Sequence, residues 1–222
     1  MSKVGLTSPL LSTCATISCN TTMTGDFSYS CYSFVSFTCE DKSEIMILEL
    51  LNRVCKALDE NGFPYMISGS IALNVYAIPR MTRDIDIVIE LPIFRIDEFV
   101  KLFPNSYLNK ATIIEEVKKQ GLFNIIDHDT GFKLDFIPRK DTDYFKHAFS
   151  RRKKISELET ELWVISLEDL IIAKFIWIQD YRGEQQLQDI ENLLLDPDKD
   201  MKYIKEWCHD LGLNTFDLLE NE

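Results

Sequence analysis

Residues 66–90 read MISGSIALNVYAIPRMTRDIDIVIE, and the fold follows from how this stretch changes its period. Tyr65 to Ser68 is a short apolar run that stops at Gly69-Ser70, after which Ile71 to Tyr76 has helical spacing until Pro79 ends it. This order predicts a strand, a glycine turn and a helix N-terminus with Ser70 as its cap. The first N–H groups of such a helix lack backbone partners and attract phosphate. Asp84 to Ile89 then alternates, so Ile85, Ile87 and Ile89 share one face of a strand and Asp84, Asp86 and Val88 share the other.

Side chains at i and i+2 on a strand stand roughly 6–7 Å apart. Two carboxylates at about 6 Å repel by on the order of 3 kcal/mol at an effective dielectric near 20. A divalent cation can bridge that distance and remove the repulsion. Asp84 and Asp86 are therefore candidate Mg²⁺ ligands opposite a triphosphate cradled by Gly69 and Ser70. The competing reading is an edge strand with two acids on its wet face.

The rest of the chain bounds these readings. With 222 residues and 45% apolar content it can bury one good core, with a small helical appendage. A formal net charge of −12 disfavours a general nucleic-acid-coating protein while allowing a localised basic groove. No apolar run is long enough to span a bilayer and the N-terminus lacks a compact signal-peptide core, so a soluble, cytoplasmic protein is expected. Residues 1–40 are rich in Ser, Thr and Cys and show no sustained period, which predicts a poorly ordered leader before a domain over 41–222. Cys14, Cys19, Cys31 and Cys39 fall in that leader with spacings that match no common zinc pattern.

From Asp41 the pattern changes. Ile47, Leu51, Val54 and Leu58 form a helical stripe that ends at Asn61-Gly62. Helices are expected over Ile93–Phe103 and Ala111–Gln120, and a hairpin joins Leu122–Ile126 to Phe132–Ile137. The turn between them resembles a calcium loop, but the twelfth position counted from Asp127 is Pro138, where an acid is needed. Phe132, Leu134 and Phe136 point to the core and Lys133 and Asp135 to the opposite face. If this strand lies beside Asp84–Ile89, Asp135 joins the first two acids and is the natural general base. Residues 146–154, KHAFSRRKK, form a basic cluster suited to a nucleic-acid backbone or to a solvated loop before an Ile155–Ser166 hairpin. Residues 166–222 read as helical. Ser166-x-x-Asp169 suits a capping box, and the following helix to Gln179 is apolar nearly all round; Lys174 on its apolar face either reaches out to water or points into the active cleft, where its charge would answer substrate phosphates. Trp163, Trp177 and Trp207 are assigned to the core.

The series Gly69-Ser70, Asp84-x-Asp86, Lys133-x-Asp135 and Ser166-Leu-Glu-Asp-Leu-Ile-Ile-Ala-Lys174, with Arg182 and Asp189, resembles the minimal nucleotidyltransferases of the DNA polymerase beta superfamily. Order and content most resemble the AbiEii-type proteins, which include type IV toxin nucleotidyltransferases. The resemblance covers about residues 44–195. It departs from the usual pattern in having Ser68-Gly69-Ser70 where many relatives carry two glycines.

The resemblance implies an α/β (α+β) nucleotidyltransferase fold, a mixed sheet flanked by helices (41–165) with a C-terminal helical segment (166–222). It implies Mg²⁺- or Mn²⁺-dependent transfer of a nucleoside monophosphate from an NTP. Asp84, Asp86 and Asp135 match the metal ligands and Lys174 the lysine of the helical motif; Gly69 and Ser70 match the phosphate turn. Lys133, Arg182 and Asp189 are carried over as nucleotide-binding residues, and Arg80 and Arg83 suit the triphosphate by charge. RNA, such as a tRNA end reached through 146–154, or a protein hydroxyl is the first acceptor class. A cationic small molecule of the aminoglycoside kind is the second. A catalytically silent nucleotide- or partner-binding module, half of a toxin–antitoxin pair with a cognate antitoxin, is the third reading.

Overall fold

The computed structural model describes residues 42–157, 160–180 and 183–220. The expected leader over 1–40 and Arg182 lie outside these residues. The apolar stripe read from the sequence is the buried face of α1 (Lys42–Glu60), and Gly62, at φ +62°, ends it. The chain continues through β1 (Tyr65–Ile67), α2 (Gly69–Tyr76) and β2 (Asp84–Ile89). A 3-10 turn (Ile93–Arg95), α3 (Ile96–Val100), β3 (Ser106–Tyr107) and α4 (Lys110–Lys119) follow. The helix expected over Ile93–Phe103 is therefore much shorter. Pro92 opens it as a 3-10 turn and the chain leaves the helix before Pro104, the residue that cannot continue one.

β4 (Phe123–Asp127) and β5 (Lys133–Pro138) form the expected hairpin, followed by α5 (Asp143–Ser150), β6 (Lys153–Glu157) and β7 (Thr160–Val164). α6 (Leu167–Ile178), α7 (Glu184–Leu194) and α8 (Met201–Asp210) complete the described residues. Among them, seven strands form one mixed sheet in the order β3-β4-β5-β2-β1-β7-β6. β2 runs antiparallel to β1 and parallel to β5, while β1 runs parallel to β7. No described helix is long and apolar enough to cross a membrane.

Alternation along β2 and β5 sends Ile85, Ile87, Ile89, Leu134 and Phe136 into the core. Phe99 of α3 meets Phe63, Phe123 and Phe136 edge to face, and Phe123 stacks on Phe136 at 5.4 Å. Each such fully buried side chain contributes about 1.5–3 kcal/mol. With this face committed to the core, the acids of β2 and β5 are left to the other. Trp177 departs from its expected core role: it is 58% exposed on α6. It occupies a position where an otherwise buried helix meets solvent.

The 146–154 segment is not a free basic patch. Arg151 Nη2 donates to Glu168 Oε2 at 2.8 Å and its Nε to Asp169 Oδ2 at 3.1 Å, and the guanidinium lies 4.0 Å from the centre of the Tyr203 ring. Asp169 is fully buried at the start of α6 and also accepts from Ser166 Oγ (2.6 Å) and Tyr203 OH (2.7 Å). Arg152 packs between Phe149 and Trp163, Lys154 pairs with Glu161, and Lys146 pairs with Asp141. Arg151 is held in place because the acids that open α6 need a cation when buried. Arg151→Ala strands the Asp169 carboxylate and is expected to cost about 3 kcal/mol in chemical denaturation, whereas Lys153→Ala at an exposed position is expected to stay within about 0.5 kcal/mol. Equal effects of the two would show that Arg151 is not the clamp.

Candidate active site

The site begins where β1 must turn into α2 within one residue. Gly69 makes that turn at φ +59°, in the left-handed region that costs a side-chain-bearing residue roughly 1–2 kcal/mol. Space is as restrictive as conformation, since a Cβ built on Gly69 would run into the Asp86 carboxylate. The Ser68 N–H donates to Asp86 O at 2.9 Å and ties the turn to β2. Ser68, not Ser70, occupies the N-cap position, and its side chain makes no capping hydrogen bond. Ser70 lies one residue inside the helix, where its hydroxyl accepts from Arg80 Nη2 at 2.7 Å.

The register of β2 and β5 then decides which charges meet. Asp86 lies opposite Asp135 and Asp84 opposite Lys133. Paired residues in neighbouring strands share a face, so three acids and one lysine stand together as the alternation predicted. Lys133 Nζ lies 2.8 Å from Asp135 Oδ2 and 3.6 Å from Asp84 Oδ1. Asp135 Oδ1 is buried with no hydrogen-bond partner. Burial pushes the Asp86 carboxyl above the usual carboxylate range; the negative charges of Asp135 and Asp84 add to the rise, and Lys174 and Lys133 oppose it.

A second charge cluster faces the first. Both oxygens of the buried Asp189 are engaged: Oδ1 accepts from Arg80 Nε at 3.2 Å, and Oδ2 accepts from Arg80 Nη2 at 3.0 Å and Lys174 Nζ at 2.8 Å. Burial raises the Asp189 pKa, but the hydrogen bonds and charges of Arg80 and Lys174 outweigh it and hold the carboxyl below its ordinary value. Burial draws the Lys174 ammonium below the usual lysine range, opposed by Asp189. Lys174, placed by the apolar faces of α6, is thus buried in an ion pair and does not reach out to water. Arg83 is exposed ahead of β2 and only its backbone, accepting from the Lys133 N–H at 3.4 Å, joins this region.

Two residues of the site escape a reading of motifs. Asn74 brackets Arg80, its Nδ2 donating to Arg80 O and its Oδ1 accepting from Arg80 N–H, both at 3.0 Å. Gln186 Oε1 lies 3.4 Å from Lys174 Nζ. The available signal for Asn74 was an amide on a helix that proline terminates six residues before an arginine. Beyond the Arg80–Asp189 pair a cleft of about 450 Å³ opens between the α2–β2 connection and α7, with Leu73, Ile78, Gln185, Gln188 and Asn192 among its lining residues.

The donors suit a hard divalent cation in kind, being carboxylate oxygens, and in charge, since three acids share one face and Asp135 Oδ1 is unpartnered. As they stand, no three His, Cys, Asp or Glu side chains among the described residues converge into a ready metal cage. The ammonium of Lys133 bridges two of the three acids instead.

No protein-family model matches the chain and no curated protein does. Among solved structures it is similar to the solution structure of the antibiotic-resistance factor ANT(2'')-Ia, at 15% identity and a TM-score of 0.43 over 79% of this chain and 88% of that one. It is similar to the lincosamide antibiotic adenylyltransferase LnuA with lincomycin bound, at 16% identity and a TM-score of 0.44, covering 69% of this chain and 95% of that one. A CCA-adding enzyme in complex with ATP aligns at 17% identity and a TM-score of 0.38, over 66% of this chain and 42% of that one.

Gly69→Ala and Gly62→Ala share the left-handed penalty, but Gly62 has open space around its missing side chain. Gly62→Ala is expected to cost about 1 kcal/mol; Gly69→Ala is expected to cost at least 1 kcal/mol more and to displace Asp86. Comparable melting temperatures for the two variants would contradict the contact between the turn and the acid.

Because folding raises the Asp86 pKa, the folded chain binds a proton that the unfolded chain has released once pH exceeds the ordinary carboxylate range near 4. Stability contributed by this group therefore falls as pH rises through that window. In metal-free buffer at neutral pH, Asp86→Asn is expected to raise Tm by about 2–4 °C, the equivalent of roughly 1 kcal/mol in a domain of this length. The gain should vanish below pH 4; a variant less stable than the parent at pH 7 would disprove the repulsion.

Proposed function

We propose that the chain transfers a nucleoside monophosphate from an NTP to an acceptor hydroxyl, the new bond forming at the α-phosphorus as the bond to the β-phosphate breaks and pyrophosphate leaves. The observation that carries this reading is the β2–β5 register, which stands Asp84, Asp86 and Asp135 on one face with the Gly69 turn against Asp86. The motif resemblance to AbiEii-type nucleotidyltransferases supports the same reading. Asp84, Asp86 and Asp135 would hold Mg²⁺ or Mn²⁺, which when bound supplies charge stabilisation at the phosphorus undergoing attack.

The chain's own residues do the rest. The Gly69-Ser70 turn and the first N–H groups of α2 receive phosphate oxygens. Arg80, which bridges Ser70 and Asp189, presents a guanidinium to the same region, and Lys174 adds a second positive charge behind Asp86. Asp189, with both oxygens engaged, positions these two cations. Asp135 takes the proton of the attacking hydroxyl through Oδ2, the oxygen that Lys133 contacts. The nucleobase and acceptor divide the space between this face and the cleft lined by α7.

RNA, including a tRNA end, or a protein hydroxyl is the first acceptor class in this proposal. Arg151 and Lys154 are paired with acids of the chain and Arg152 is stacked on Phe149 and Trp163, so RNA contact through 146–154 would have to compete with these contacts. A cationic small molecule is the second reading, favoured by the net charge of −12 and by Glu184 at the cleft. A silent partner-binding module with a neutralising antitoxin is what remains if no transfer occurs.

The test incubates the full chain with each α-³²P-labelled NTP and Mg²⁺, in parallel with total tRNA, with denatured protein extract and with an aminoglycoside panel. The expected result is label on one acceptor class, reduced at least 100-fold in Asp84→Asn and Asp86→Asn variants that remain folded. Label transferred equally by those variants would overturn the site, and no label on any acceptor would overturn the activity.

A further inference from the structure

Lys133 is the one charged group at the site whose position conflicts with the role of its neighbours. Its ammonium bridges Asp135 and Asp84, at 2.8 and 3.6 Å, on the face where a divalent cation would have to bind. Its backbone is fixed by pairing opposite Asp84 in the sheet, but its side chain is 39% exposed and long enough to swing away. Ammonium and a divalent cation cannot share the same two carboxylates, since like charges at such distances repel strongly wherever water is partly excluded.

We propose that Lys133 is the resident cation of the acid cluster in the nucleotide-free protein. Free metal then binds weakly, because it must displace the ammonium. A divalent cation enters effectively only together with a triphosphate, whose oxygens receive the displaced Lys133 as a point charge. One side chain thereby couples metal binding to nucleotide binding and keeps three neighbouring acids from repelling one another while the site waits. The inference rests on the nucleotidyl-transfer reading for its triphosphate and extends it to the order in which the site fills.

The experiment measures Mn²⁺ binding to the full chain by electron paramagnetic resonance, with and without a non-hydrolysable ATP analogue, beside Lys133→Gln, Lys133→Arg and Asp84→Asn. Circular dichroism establishes that each variant is folded. The wild-type chain is expected to bind Mn²⁺ weakly alone and at least tenfold more tightly with the analogue. Lys133→Gln is expected to bind Mn²⁺ alone about tenfold more tightly than the wild type and to lose most of the gain from the analogue. Lys133→Arg keeps the charge and should bind Mn²⁺ alone as weakly as the wild type, which tests the inference even if the glutamine variant does not fold. Equal or weaker Mn²⁺ binding by Lys133→Gln, or much tighter binding by Lys133→Arg, would overturn the role of Lys133 while leaving the metal site intact. Failure of every protein to bind Mn²⁺, with or without the analogue, would remove the metal site and this inference with it.

Discussion

Like-charge repulsion among Asp84, Asp86 and Asp135 is the constraint around which this domain is built. A β-ladder fixes the main chain, so the register of β2 and β5 holds the acids together and gives them no way to relax by moving the backbone. Burial raises the Asp86 carboxyl and the charges of Asp135 and Asp84 add to the rise, while one buried oxygen of Asp135 has no partner. Folding tolerates it because the opposite face of the same strands buries isoleucine and phenylalanine side chains, each worth a few kcal/mol.

The surrounding cations divide into two kinds. Arg80 and Lys174 converge on the buried Asp189 and are thereby aimed, since a carboxylate that accepts from both fixes their positions relative to the acids of the sheet. Asn74 adds rigidity by holding the Arg80 backbone from both sides. Lys133, more exposed, lies on the acids themselves. Arg151 belongs to neither kind. It neutralises Glu168 and Asp169 where α6 begins, so a sequence run that looks like one motif serves two ends: its acids anchor the helix and its lysine reaches the site.

Much of the fold was legible because its signals are local. Alternation of period two identified β2 and β5, the stripe through Ile47 and Leu58 identified α1, and Gly62 and Pro79 marked where helices stop. The placement of Asp135 beside Asp84 and Asp86 followed from alternation once the strands were taken as neighbours. Misreadings arose where a local signal had two physical uses. Ser70 is a good capping residue, but the helix starts two residues earlier, at Gly69 with Ser68 as its N-cap. KHAFSRRKK is basic in composition, yet Arg151 pairs with Glu168 and Asp169, Lys146 and Lys154 pair with nearer acids, and Arg152 stacks on Phe149 and Trp163. Trp177 fits an apolar helix by type but lies on the side that meets solvent.

By itself, the sequence determined most of the elements, the face on which each acid stands and a glycine turn at position 69, because backbone period and turn chemistry are properties of a few adjacent residues. Only the tertiary structure decided the partners: Arg80 and Lys174 on Asp189, Arg151 on Asp169, and Lys133 across Asp84 and Asp135. Which cation meets which carboxylate depends on how the strands and helices pack, and on how far each buried charge must go to find an opposite one. That distance is a property of the folded chain, and no spacing along the sequence encodes it.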